Sequence, residues 1–242
     1  MKRVLVFFIL IILLSAPAKH QQGSATQHGI SLKDYHSITF YTNSATIPNY
    51  NMLEELILLP ENPFNEMEAV KMVERVGYIH PNLLEQLIQE NIKIKFFNGK
   101  LTDEPSAGHL KGIKPRGYSE NGPFWDDVPG LGGSQLVLAK IGHSHKGEGH
   151  GSINLELHEL AHTIDQFLFD SIRYDTYFLD IWKEDVEKLF PGMNYFINYP
   201  EEYFAEAFVY FYLSEETRLV LADKAPSTYQ LFKSLETYRF SE

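Results

Sequence analysis

The feature that most constrains this 242-residue chain is a pair of histidines four residues apart, in the pattern HExxH at residues 158–162. On a helix, positions four apart share one face, so His158 and His162 can bind one metal ion together. Glu159 then lies beside the metal and can act as a general base on water. Apolar residues at helical spacing around the motif predict a buried helix over residues 152–169. The motif therefore predicts a Zn²⁺ site.

A catalytic zinc ion usually has three protein ligands and one open position, so a third ligand is needed. Residues 163–168 contain neither the glycine nor the third histidine of the longer HExxHxxGxxH pattern. The alternative is a later helix that begins at Pro200, on which Glu202 and Glu206 are four residues apart. One of them is expected to bind zinc while the other supports it. We favour Glu202 as the ligand, with Glu206 accepting the second N–H of a ligand histidine.

The N-terminus predicts export from the cell. A basic start precedes an apolar run over residues 4–14, which is followed by Ala16 and Ala18 at the spacing that signal peptidase requires. This run is shorter than the roughly 20 residues that a membrane-spanning helix needs. We therefore predict a signal peptide over residues 1–18, a secreted, extracellular mature protein, and no integral membrane contact after cleavage.

Composition narrows the possible partners and chemistry. With 44% hydrophobic residues the chain can bury a core, and its net charge of −11 disfavours nucleic acid and anionic membrane surfaces as partners. The absence of cysteine excludes disulfides, thiolate metal ligands and cysteine catalysis. No sequence feature indicates an oligomer, so a monomer is expected.

The order of predicted elements indicates an α+β fold, because strands precede helices. Residues 19–52 are polar and aperiodic, which predicts a leader or spacer. The folded domain is expected over residues 53–238, with an N-terminal lobe at about 53–151 and a C-terminal lobe at about 152–238. Strands are predicted at 53–59, 92–97 and 135–141, and helices at 65–77, 81–90, 152–169, 176–189, 200–213 and from 227 onward.

Several short segments resemble one known family. They are GKLTD at 99–103, WDDVPGLGG at 125–133, GH at 149–150, the stretch 153–162, NY at 194–195 and YPEE at 199–202. In these segments, over roughly residues 53–238, the chain resembles the secreted Pro-Pro endopeptidases, which are relatives of the protease domain of anthrax lethal factor.

The resemblance implies a zincin-like metalloprotease fold, with a short mixed or antiparallel sheet in a small N-terminal lobe and a mainly helical C-terminal lobe. It implies one Zn²⁺ per chain and hydrolysis between two prolines of an extracellular or surface protein. The residues it assigns are the zinc ligands His158, His162 and Glu202, the general base Glu159, the oxyanion donor Tyr195 and the groove residue Trp125.

Two other functions stay open. A lethal-factor-like protease with another cleavage specificity would share the zinc residues, and a catalytically silent binding domain would share the fold. Retention of Glu159 and Tyr195 argues against the silent domain. The residues before Trp125 are Gly122-Pro123-Phe124, where some relatives have a lysine, so the residue preferences around the two prolines are left open.

Overall fold

Helices make up about half of the described chain, and its strands form one small sheet. The computed structural model describes residues 28–115 and 122–238. The strands are β1 (Ile30–Ser31), β2 (Ile57–Leu59), β3 (Lys93–Phe97), β4 (Gly130–Leu131) and β5 (Leu136–Lys140). The helices are α1 (Ile38–Ser44), α2 (Tyr50–Leu56), α3 (Glu66–Gly77), α4 (Pro81–Gln89), α5 (Leu155–Leu168), α6 (Thr176–Leu189), α7 (Asn194–Asn198), α8 (Pro200–Tyr212), α9 (Glu215–Lys224) and α10 (Pro226–Leu235).

The sheet has the strand order β1-β2-β3-β5-β4. Its three central strands are parallel, whereas β1 and β4 pair antiparallel at the two edges. Parallel neighbours need a long crossover, which α3 and α4 supply between β2 and β3. The predicted α+β class with a small mixed sheet is confirmed, and β4 forms the edge nearest the HExxH helix α5.

Helix capping explains why α3 and α4 lie where the sequence predicts them. The Asn65 side chain accepts a hydrogen bond from the backbone N–H of Glu68 at 3.3 Å, which satisfies a donor at the start of α3. Pro81 occupies the first turn of α4, where its missing N–H costs nothing. The prediction of a strand over 53–59 is wrong in its first half, because α2 continues to Leu56 before β2 begins. A short apolar run fits either structure.

The segment before residue 53 differs from the predicted spacer. Residues 30–52 contain β1, α1 and the start of α2, and the side chains of Leu32, Phe40 and Ile47 are buried. The carboxylate of Glu66 on α3 accepts hydrogen bonds from the Tyr35 and Ser37 hydroxyls, each at 2.6 Å. The spacer prediction is therefore wrong for residues 30–52. Its first part and the predicted signal peptide lie outside the described residues.

From α5 to α10 the C-terminal half consists of helices and the short loops that join them. α5 begins at Leu155 rather than at residue 152, because the Asn154 side chain caps it through the backbone N–H of Leu157 at 3.0 Å. α8 packs against α5 and buries the rings of Tyr203, Phe204 and Phe208. One cluster of buried apolar side chains extends from Leu32 through both halves to Leu235. Over the described ranges, no helix is both long and apolar enough to cross a membrane.

Candidate metal centre and the surrounding cavity

The packing of α5 against α8 brings two histidines and one glutamate together. His158 and His162 face α8 from successive turns of α5, and Glu202 comes from the first turn of α8. One carboxylate oxygen of Glu202 lies 3.2 Å from Nε2 of His158 and 3.5 Å from Nε2 of His162. One potential ligand atom from each residue lies within 4.8 Å of the other two. The spacing argument and the structure therefore agree on which side chains meet.

This cluster fits a zinc ion in both donor chemistry and spacing. Zn²⁺ bonds to imidazole nitrogen and carboxylate oxygen are about 2.1 Å long, so a tetrahedral ion holds its ligand atoms about 3.4 Å apart. The distances from Glu202 to the two imidazoles bracket that value. Three protein ligands leave a fourth position for water or substrate, as catalytic rather than structural zinc sites do.

Glu206 lies one helical turn beyond Glu202 and supports the cluster from behind. Its carboxylate is 3.1 Å from Nδ1 of His158, and it also accepts a hydrogen bond from the backbone N–H of Ile153 at 3.0 Å. Its side chain is 3% exposed. Burial alone would raise the pKa of Glu206, but the hydrogen bond with His158 outweighs it and the pKa is lowered. The buried carboxylate is therefore ionised and fixes which nitrogen of His158 faces the cluster.

The charges of the cluster depend on each other. Burial opposes the charged form of His158, but its hydrogen bonds to Glu202 and Glu206 prevail and raise its pKa to about 10. Glu202 shows the reverse balance: burial would raise its pKa, whereas hydrogen bonds with His158 and His162 lower it. Without a metal, the hydrogen bonds of His158 to Glu202 and Glu206 hold these three side chains together. A cation that takes the place of the shared proton between His158 and Glu202 finds its ligands already in place.

The glycine strand, defined as β4 with the two residues that follow it (130–133), packs directly on Glu159. A Cβ atom at Gly130 would lie 2.7 Å from Cγ of Glu159, and one at Gly132 would overlap the backbone carbonyl of the same residue. The buried hydroxyl of Thr163 on α5 accepts from the Gly133 N–H and donates to the Ser134 carbonyl, each at 3.0 Å. Burial raises the pKa of Glu159. The strand thus confines the Glu159 side chain beside the cluster.

A cavity of about 690 Å³ opens over the cluster, and the other predicted site residues line it. Tyr195 lies on the short helix α7 rather than in a loop, is 46% exposed, and packs its ring against Tyr199. Trp125 begins a short 3₁₀ helix and packs on a small apolar cluster that includes Phe97 and Leu138. His150 also lines the cavity, but its Nε2 bonds the His143 carbonyl at 2.8 Å and it stays outside the metal cluster.

Three buried polar residues of α5 were missed by sequence reasoning: Glu156, Thr163 and Asp165. Glu156 accepts a hydrogen bond from Arg75 on α3, and Arg75 also donates to Ser144 at 2.8 Å. Each of the three residues ties the HExxH helix to a different neighbour. The sequence offers one signal for such residues, which is a polar residue among the apolar positions of a helix. A polar residue buried in such a pattern needs a hydrogen-bonding partner.

The fold and site together define the class of zincin-like metallopeptidases of the lethal-factor type. The model of the family described as "Anthrax toxin lethal factor, N- and C-terminal domain" matches residues 43–235. The chain belongs to this family. The match begins before residue 53, in agreement with the folded segment that precedes α2.

Two individual proteins of this kind and one solved structure are similar to this chain over most of its length. A Pro-Pro endopeptidase of Clostridioides difficile (strain 630) is 42% identical over 199 residues, which are 82% of this chain and 90% of that protein. A Pro-Pro endopeptidase of Paenibacillus alvei is 37% identical over 185 residues, covering 76% of this chain and 85% of that protein. The solved structure of the Pro-Pro endopeptidase PPEP-2 from Paenibacillus alvei matches with a TM-score of 0.72 at 38% identity, over 76% of this chain and 99% of that one.

Proposed function

We propose that this chain is a secreted zinc-dependent endopeptidase that hydrolyses a Pro-Pro peptide bond in exported or cell-surface proteins. The observation that carries the proposal is the cluster of His158, His162 and Glu202 in the wall of a cavity that Glu159 also lines. The similarity to two Pro-Pro endopeptidases supports the choice of bond. The predicted signal peptide supports secretion.

In this proposal His158, His162 and Glu202 hold one Zn²⁺ ion per chain, and Glu206 orients His158. When bound, Zn²⁺ supplies Lewis acidity, which polarises the scissile carbonyl and lowers the pKa of water. Glu159 accepts a proton from the attacking water and delivers it to the leaving nitrogen. Any peptide nitrogen needs that proton to leave as a neutral amine, and on a prolyl nitrogen, which carries no hydrogen, the delivered proton becomes the new N–H of the product.

Tyr195 and Trp125 complete the proposed substrate site. The Tyr195 hydroxyl donates a hydrogen bond to the carbonyl oxygen as negative charge develops on it. Trp125 offers an indole surface on which proline rings can pack. Support comes from their position, since both line the cavity while their backbones belong to short helices. The substrate is then a proline-containing extracellular or surface protein.

Replacing Glu206 with glutamine tests its supporting role. We expect the variant to fold and to bind Zn²⁺ about 10- to 100-fold more weakly, because loss of an acceptor behind a ligand histidine typically has that effect. Zinc affinity is measured by competition with a fluorescent chelator. Glu215→Gln, which removes an exposed carboxylate from α9, is the matched control. Unchanged zinc affinity in Glu206→Gln would contradict the assignment.

Cleavage of a quenched peptide library with a central Pro-Pro tests the function itself. We expect the mature chain to cut between the prolines, to lose activity with a zinc chelator, and to regain it when Zn²⁺ is restored. Peptides with Pro-Ala or Ala-Pro at the centre are the controls. Cleavage at another bond would favour a lethal-factor-like protease of different specificity, and no cleavage by the zinc-loaded chain would favour a silent binding domain.

A further inference from the structure

Arg173 is a cationic residue of the cavity that the proposed mechanism does not use. It follows α5 in a short 3₁₀ helix, and its side chain lines the cavity together with Gln166 and Glu201. Its Nε atom lies 2.9 Å from a carboxylate oxygen of Asp165, whose side chain is 1% exposed. Asp165 belongs to α5, three residues after the cluster residue His162. The guanidinium is therefore held by the same helix that carries His158 and His162.

The backbone around Arg173 is fixed by the same aspartate. The carbonyl of Asp165 accepts from the Ser171 N–H at 2.9 Å, and its side chain accepts from the Arg173 N–H at 3.3 Å. Asp170 and Ser171 both have positive φ angles, 50° and 63°, so the chain reverses sharply after α5. Non-glycine residues adopt this conformation at a cost, which persists only where the surroundings impose it. Asp165 supplies that constraint and positions Arg173.

The exposed part of Arg173 is the part available to a ligand. Nε is fully buried and forms an ion pair with Asp165 without the alignment of a hydrogen bond, whereas 18% of the whole side chain is accessible and the residue lines the cavity. A guanidinium has five N–H donors, of which Nε supplies one. The two terminal nitrogens provide the planar fork that pairs with a carboxylate. An anchored fork loses little conformational entropy when it binds such a partner.

We propose that Arg173 determines specificity by binding a carboxylate of the substrate. The inference rests on the proposed function, because it places the substrate in this cavity. Asp165 approaches the guanidinium at Nε, so its other N–H donors attract a carboxylate more strongly than a neutral group, while the glutamates that line the cavity repel an acidic residue elsewhere. The carboxylate belongs either to an aspartate or glutamate side chain near the prolines or to the C-terminus of a peptide.

The test compares peptides that differ in one carboxylate. Each peptide has a central Pro-Pro, with Glu or Gln at each of three positions on either side, and with a free or amidated C-terminus. Binding is measured by fluorescence anisotropy on the zinc-loaded E159A chain, in which cleavage does not interfere. We expect one carboxylate to strengthen binding about tenfold or more, as charge-assisted hydrogen bonds do. In E159A/R173Q that ratio should fall to about one.

Controls separate a direct contact from general charge and folding effects. Lys183→Gln removes an exposed cation of α6 and changes the net charge equally, so it should preserve the ratio. Because R173Q leaves the buried Asp165 without its ion pair, D165N/R173Q replaces both charges by amides, and thermal unfolding shows that each variant is folded. R173K retains the charge without the fork and should give an intermediate ratio.

The outcomes distinguish the two proposals. A carboxylate preference of equal size with and without Arg173, or no preference at any position, overturns the assignment of Arg173. A preference for the free C-terminus alone supports it and identifies the terminal carboxylate as the ligand. Wild-type cleavage of the whole Pro-Pro peptide set, with and without a carboxylate, tests the proposed function separately. Failure to cleave any of these peptides contradicts that function, while the binding ratios still decide on Arg173.

Discussion

Glu159→Gln is expected to lower kcat for Pro-Pro hydrolysis by about 10³-fold or more while the chain keeps its zinc. A positioned general base typically contributes a factor of 10² to 10⁴, and Glu159 is proposed to move the proton in both halves of the reaction. Glutamine has nearly the same shape but no basic oxygen, so the packing of the glycine strand on this residue is retained. The measurement is kcat on a quenched Pro-Pro peptide, with the zinc content of the same sample.

Zinc content makes the result interpretable. The proposed ligands are His158, His162 and Glu202, so Glu159→Gln should retain about one zinc per chain, whereas Glu202→Ala should lose both metal and activity. Glu215→Gln on α9, which removes an exposed carboxylate that does not line the cavity, should behave as the wild type does. If Glu159→Gln kept more than a tenth of the wild-type kcat at full zinc content, another group would have to be the base.

The metal cluster could be predicted from the sequence because its geometry is local. His158 and His162 lie on one helix, as do Glu202 and Glu206, and a helix brings residues four apart to the same face. The contact between the two helices is the long-range part of this geometry. It could be inferred because a catalytic zinc ion usually has three protein ligands. The positions of these four side chains follow from two repeats of one spacing rule.

The residues that hold the cluster in place could not be predicted in this way. Arg75 bonds Glu156 from 81 residues away, and Thr163 bonds a loop 30 residues before it. Such pairs depend on which elements become neighbours, which no local spacing records. The pairing of Asp165 with Arg173 spans only eight residues, but it requires two successive residues at positive φ that are not glycines. An aspartate followed by a serine, as at Asp170 and Ser171, does not by itself predict that turn.

The folded segment before residue 53 shows a different limit. Its buried apolar residues Leu32, Phe40 and Ile47 are sparse, and the positions three and four residues away from them are mostly polar, so no continuous helical or strand pattern is visible. Their burial depends on α2, α3 and the sheet edge, which they cover. α9 is similar, because Leu221 is its only residue classed as buried among those described. Elements that cover a core with few side chains leave a weak periodic signal.

Gly132→Ala is expected to lower the free energy of unfolding by about 3 kcal/mol or more and to reduce kcat/KM by at least about 10²-fold. A Cβ atom at residue 132 would overlap the backbone carbonyl of Glu159, so the strand and α5 must move apart. The Cβ atom is fixed directly to the main chain of residue 132 and the carbonyl belongs to the main chain of Glu159, so neither can rotate away from the other. Urea unfolding and Pro-Pro cleavage, measured on the same preparation, test both effects.

Comparison with two other glycines tests the steric argument. Gly151→Ala adds the same methyl group in the loop before α5, where nothing lies within 4 Å of the new atom, and should leave the free energy of unfolding unchanged. At Gly130 the new atom meets only side-chain atoms, of Glu159 and Leu155, which can shift more easily than main chain, so Gly130→Ala should lose more activity than stability. If Gly132→Ala were as stable as Gly151→Ala and as active as the wild type, the strand would not rest on the main chain of Glu159. The confinement of that carboxylate beside the metal would then need another cause.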